Sequence, residues 1–141
     1  MNNMKLFAIL TMLAGSMVGW AEEQSTIYVY RVRQFNASLR KLTVLCDGKE
    51  VALLQNGRYF VMKVPAGEHM ISDKKLPYNV KLKTEPGREY FVQAGWQIQF
   101  TNGHPRFSVT DPQFGKDELK ELKLLDKDQV RDPRLVVEPA L

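Results

Sequence analysis

At 141 residues, with 44% hydrophobic residues and a formal net charge of +4, the chain suits one packed domain; its basic residues are interleaved with acidic ones, which excludes a concentrated nucleic-acid footprint. One cysteine closes no internal disulfide, so the fold must rest on its core. Two histidines leave few groups for acid–base or metal chemistry, and neither a cofactor nor a metal is expected.

Lys5 precedes an apolar run from Leu6 to about Val18, and Gly19-Trp20-Ala21 places small residues at −3 and −1 of a cut after Ala21. That pattern predicts a signal peptide over residues 1–21 and a periplasmic or secreted product. A spanning anchor needs about 20 apolar residues, more than this run holds. Leu13-Ala14-Gly15-Ser16 has the form of a lipoprotein signal with serine where the lipid-bearing thiol would stand, so no acyl or other stable membrane anchor is expected. Lys5 is the one charge within residues 1–21, so its removal takes the net from +4 to +3.

Beyond the signal, short runs rich in β-branched and aromatic residues alternate with turn residues. Thr26–Arg33 reads as a strand whose register is ambiguous: Tyr28, Tyr30 and Val32 share one face, while Ile27, Val29, Arg31 and Arg33 share the other. In Lys41–Cys46, Leu42, Val44 and Cys46 alternate, which predicts a buried, inert thiol; a reactive or intermolecular thiol is the alternative. Asp47-Gly48 is a tight-hairpin dipeptide leading to Glu50–Leu54, and Asn56-Gly57 reads as a second hairpin leading to Arg58–Val64. Pro65-Ala66-Gly67 turns the chain into Glu68–Asp73. In Asn79–Glu85, Val80 and Leu82 alternate with Lys81 and Lys83 as in a strand with one wet face.

After Pro86-Gly87 comes the clearest period of two: Tyr90, Val92, Ala94, Trp96, Ile98 and Phe100 occupy every second position. Gly95 within it suggests a bulge or bend. Asn102-Gly103 reads as a turn, with His104 solvated beside it, and Arg106–Thr110 as a last strand. Leu119, Leu122 and Leu125 recur every three residues and predict a short amphipathic helix with a solvated acidic face. The polar stretch from Asp126 reads as a flexible tail, although Leu135-Val136-Val137 has the composition of a strand that could join a sheet edge in this molecule or a partner.

The expected class is therefore all-β: a mainly antiparallel β-sandwich of about eight short strands over residues 22–125, one short C-terminal amphipathic helix, and a tail over 126–141.

No nucleophile–base pair, Gly-rich phosphate loop or closely spaced ligand pair stands out. The expected function is a non-enzymatic binding module for an envelope protein or polysaccharide, with no nucleic-acid partner. Its candidate binding residues are Arg31, Arg58, Tyr59 and His69: exposed rings beside arginines would form a stacking platform, whereas two packed sheets and a helix would bury them. A small metal-dependent or hydrolytic enzyme centred on His69 with Asp73 or Glu68 is the alternative. A structural accessory subunit using its C-terminal tail is another.

Ile27-Tyr28-Val29-Tyr30-Arg31, Leu54-Gln55-Asn56-Gly57-Arg58-Tyr59-Phe60, Val64-Pro65-Ala66-Gly67-Glu68-His69 and Gly87-Arg88-Glu89-Tyr90-Phe91 together resemble a family of small bacterial exported domains of unknown function, over about Thr26 to Leu125. The pattern is also similar to PEGA-type and transthyretin-like sandwiches. The resemblance implies an envelope location and a β-sandwich. It attaches no catalytic residues, and Ser16 departs from the lipoproteins common among such relatives.

Overall fold

Alternation along the strands resolves into two stacked sheets. The computed structural model describes residues 23–36, 39–75, 77–99 and 102–139; the expected signal peptide and its cleavage point lie outside them. In chain order the elements are β1 (Gln24–Arg31), β2 (Leu42–Cys46), β3 (Lys49–Leu54), β4 (Arg58–Pro65), β5 (Gly67–Ser72), β6 (Asn79–Thr84), β7 (Glu89–Gln99) and β8 (Asn102–Thr110). Then follow α1 (Pro112–Leu119), β9 (Lys123–Leu124), a 3₁₀ turn (Lys127–Gln129) and β10 (Val136–Val137). One sheet runs β10-β4-β1-β7-β8, with β9 also on β4; the other runs β3-β2-β5-β6. Pairing is antiparallel except β1 with β7 and β4 with β9. The all-β expectation with a short helix holds.

The core lies between the sheets. Ile27, Val29, Phe60, Met62, Val64, Val92 and Ala94 from the first meet Leu42, Val44, Val51, Leu54, Ile71 and Leu82 from the second. Each fully buried side chain of this size contributes about 1.5–3 kcal/mol. The ambiguity of β1 has a physical answer: it is an interior strand, buried on both faces. Its outer face carries Tyr28, stacked on Phe91 at 4.7 Å, and Tyr30, whose hydroxyl donates to Glu118 Oε1 on α1 at 2.7 Å. The neighbouring aromatics thus serve two covered faces.

Asp47-Gly48 forms the expected tight hairpin between β2 and β3, with φ of 52° and 83°. Asn56-Gly57 and Pro65-Ala66-Gly67 do not form hairpins, because β3 and β5 belong to one sheet and β4 to the other. Gly57 does take the positive φ its turn requires, 70°. The Asn56 side chain, however, clamps the backbone of Gln34, accepting from its N–H at 2.7 Å and donating to its carbonyl at 3.1 Å. That contact carries the chain from one layer to the other.

Asn102-Gly103 is also no turn. Both residues pair within β8, Ile98 with Gly103 and Gln99 with Asn102. His104 accordingly sits half-buried in a strand, stacked on Tyr78 at 5.0 Å. Gly95 marks no bulge, since the β7–β8 register runs unshifted past it.

The helix starts and ends earlier than leucine spacing suggests. Asp111 caps it, accepting from the N–H groups of Gln113 (3.1 Å) and Phe114 (3.3 Å), and Pro112 occupies its first turn. Leu122 and Leu125 lie beyond its end. The open edge of β4 captures this backbone instead: Lys123 N–H donates to Gly57 O, and Leu125 N–H to Tyr59 O at 2.8 Å. Leu125 itself enters the core.

The segment expected to be a flexible tail is strapped across both sheets as far as 139. Val136–Val137 pairs antiparallel with Val61–Met62 of its own β4, and Val130 bridges Ala52. The N–H groups of Arg131 and Asp132 both donate to Val51 O, at 2.9 and 3.1 Å. The strap covers edges that would otherwise offer unpaired backbone. On the opposite side β8 lies against β6 and carries Pro105, which cannot donate to an added strand.

Candidate functional site

The four sequence-predicted residues do not converge. Arg31 is fully buried at the end of β1, where its Nη1 donates to the carbonyls of Arg40 and Leu54, the latter at 3.1 Å. Burial lowers its pKa to about 10. Arg31 thus ties loop to strand inside the sandwich and presents nothing to a ligand. Arg58 and Tyr59 open β4 under β9: Arg58 donates to Leu124 O at 3.1 Å and pairs with Asp126 at 3.6 Å, while Tyr59 pairs with Leu124 in register. His69 is held at the far end of the same strand by the Pro65 carbonyl. Seven residue steps along β4 separate Arg58 from Pro65, roughly 23 Å at the usual rise, so no small ligand bridges them.

His69 heads β5 at the rim of the sandwich. Its expected acidic partners, Asp73 and Glu68, are not its partners. Its Nδ1 lies 2.6 Å from Asp47 Oδ2, and its Nε2 lies 2.6 Å from Pro65 O. Both ring nitrogens are engaged by protein oxygens, one a carboxylate and one a backbone carbonyl. Asp47 Oδ1 accepts from Met70 N–H at 2.9 Å. Partial burial pushes the Asp47 carboxyl up, but the His69 and Met70 hydrogen bonds and the imidazole charge together hold it below its ordinary value. Cys46, buried as its alternation predicts, has Sγ 3.8 Å from Asp47 Oδ2. Burial first, then the Asp47 carboxylate, push the thiol up to about 12, so it is no nucleophile at neutral pH. Sequence spacing concealed this trio because Cys46-Asp47 and His69 are 22 or more residues apart and meet only through the β2–β5 pairing.

A second concave region lies on the outer face of β7 and β8, a groove of about 400 Å³ lined by Gln34, Gln93, Gly95, Gln97, Arg106 and Ser108 among others. The residues between the buried positions of β7 line it, which is the wet half of the sequence's alternation. The Gln34 amide extends the sheet beyond β1, donating to Trp96 O at 2.8 Å and accepting from Trp96 N–H at 3.0 Å. A Cβ at Gly95 would stand 3.2 Å from Gln34 Oε1, so glycine there makes room for this graft. At the groove's inner end Gln93 donates to Glu118, which also holds Tyr30. Arg40 lies over the Trp96 ring, 5.5 Å from its centroid.

The groove lining contains no His, Cys, Asp or Glu. It can donate and accept hydrogen bonds through amides, a hydroxyl and a guanidinium. Among the described residues no helix is long and apolar enough to cross a membrane.

Residues 21–108, more than half of the chain, match a family described as a protein of unknown function (DUF2846). The match ends within β8, so α1 and the C-terminal strap lie outside it. No curated protein and no solved structure matches.

Proposed function

We propose that this chain, which belongs to the DUF2846 family of proteins of unknown function, is an exported, non-enzymatic β-sandwich module that binds an envelope polysaccharide in the groove over β7 and β8. The observation that carries the reading is the lining of that groove: planar amides, one guanidinium and one hydroxyl around a glycine notch, with the nearest carboxylate, Glu118, tied to Gln93 and Tyr30. Polyhydroxylated chains are held by such fixed donor–acceptor groups, and a pocket built this way binds without cleaving. Edge-strand capture is less well supported, since β4 is strapped by β9 and β10 and β8 carries Pro105. Export is supported by the apolar run before Ala21 and places the module where such polymers are.

The test is co-sedimentation with purified peptidoglycan and other envelope polysaccharides, followed by calorimetry with soluble fragments. Arg106→Ala and Gln97→Ala, each removing a groove donor without touching the core, should weaken binding by about 1–3 kcal/mol apiece. Binding that survives the double variant, or no binding to any envelope polysaccharide, refutes the groove as the site. Cell fractionation with sequencing of the mature N-terminus tests the export step; a full-length product in the cytoplasm refutes it.

A further inference from the structure

We propose that Cys46, Asp47 and His69 form a divalent-metal site of zinc-type ligand chemistry at the rim of the sandwich. It is separate from the polysaccharide groove and independent of that reading. Cys46 Sγ, an Asp47 carboxylate oxygen and a His69 ring nitrogen all lie within 4.8 Å of one another. Sγ stands 3.8 Å and Nδ1 2.6 Å from the same oxygen, Asp47 Oδ2. Tetrahedral zinc, with bonds of about 2.0 Å to N or O and about 2.3 Å to S, needs ligand atoms roughly 3.3–3.5 Å apart. To meet that requirement the Asp47–His69 contact opens by about 0.7 Å, and the sulfur closes by about 0.3 Å on Asp47 Oδ2 and from within 4.8 Å on the His69 nitrogen.

Two further features are those of a ligand set. The first is the hold on the imidazole. Nε2 faces the Pro65 carbonyl at 2.6 Å, the outer-shell contact by which metal-bound histidines fix their tautomer. Nδ1 and Asp47 Oδ2 stand 2.6 Å apart, with a proton between them in the hydrogen-bonded pair and a cation in its place in the metal-bound one. The second is the turn. Asp47 is the one non-glycine residue with positive φ among the described residues, at 52°. Its backbone serves the hairpin, where asparagine or glycine would serve as well. Its second oxygen is anchored by Met70 N–H at 2.9 Å, which leaves Oδ2 aimed at the imidazole and the sulfur.

Thiolate, imidazole and carboxylate together favour zinc, cobalt or copper over magnesium or calcium. Binding would displace the thiol proton and whatever proton the Asp47–His69 pair shares, and the three protein ligands leave one position for water. The groove lined by Glu68, Met70, Lys81 and Lys83 adjoins Asp47 and His69 and gives solvent its access. Such an ion would join the β2–β3 turn to the start of β5 with no disulfide.

The experiment is a Co²⁺ titration of the tag-free, metal-stripped full chain, followed by Zn²⁺ competition. The expected result is one ion per chain with a thiolate-to-cobalt charge-transfer band, and an unfolding midpoint raised by Zn²⁺. Cys46→Ser should abolish the band. His69→Gln and Asp47→Asn lie at the rim, and asparagine keeps the turn conformation; both should weaken Co²⁺ binding by more than the roughly 10- to 100-fold typical of outer-shell changes. These two carry the test if Cys46→Ser does not fold. Failure to bind a stoichiometric ion, a band unaffected by Cys46→Ser, or full affinity in both rim variants overturns the proposal and leaves a proton-bridged Asp47–His69 pair.

Discussion

Replacing Gly115 by alanine should destabilise the protein, although alanine is the better helix former. Gly115 is the buried residue of α1 and rests on Phe91. A Cβ there would lie 2.6 Å from Phe91 Cβ and Cγ and 2.7 Å from Cδ1. Those are the near atoms of a ring that is buried and stacked on Tyr28, so it cannot swing aside. The helix must lift instead. Overpacking of this kind costs about 1–3 kcal/mol. Lifting α1 also draws Glu118 away from the Tyr30 hydroxyl and the Gln93 amide, now at 2.7 and 3.1 Å, and a hydrogen bond to a charged group contributes about 1.5–3 kcal/mol. Against this stands a propensity gain of about 1 kcal/mol. The net expectation is a loss of about 2–4 kcal/mol. Urea unfolding should show the midpoint falling by roughly 1–2 M at an m-value near 2 kcal/mol/M, while Lys116→Ala, on the exposed side of the same helix, stays within about 0.5 kcal/mol of the parent. A Gly115→Ala protein as stable as the parent, or more so, would show that α1 is not docked through this contact.

Asn56→Ala removes both hydrogen bonds to the Gln34 backbone and should cost about 1–3 kcal/mol in the same assay; no change would mean the clamp does not direct the crossover. Truncation after Asp126 removes the strap and the packing of Val130, Leu135 and Val136 against the core; it should cost at least about 3 kcal/mol and open β4 to proteolysis, and an equally stable, protease-resistant product would refute the strap. Alkaline titration should find Tyr28 ionising near 12 and Tyr30 later still, because burial, first, and contacts with Glu89 and Glu118 disfavour their phenolates. Their folded pKa values are raised, so the stability they contribute is fully present below the ordinary tyrosine value of 10.0 and is lost as pH rises toward 12; phenolate absorbance rising wholly at the ordinary value would refute their burial.

Of the candidate site residues, His69 was legible as a rim histidine because it shares the face of Ile71, but its partner was not. Local order in the chain favoured Glu68 and Asp73; strand pairing supplied Asp47. Arg31 looked like a surface cation because alternation assigns a face but not what covers that face. The groove glutamines were visible as the residues between the buried positions of β7, yet nothing local marks the concavity that Gly95 and the Gln34 graft create.

Alone, the sequence determined the elements whose causes are local: the period-two strands, the Asp47-Gly48 turn with its positive φ, the burial of Cys46, and the all-β class. Tertiary structure decided the rest: which strands share a sheet, that Asn56-Gly57 and Pro65-Ala66-Gly67 cross between layers, that β4 draws Lys123–Leu124 out of a helical pattern, and that Val136–Val137 closes the molecule's own edge. The reason is physical. Backbone preferences act over a few residues, whereas an unpaired strand edge accepts any segment with free N–H and C=O groups that can reach it, and reach is set by the folded layers.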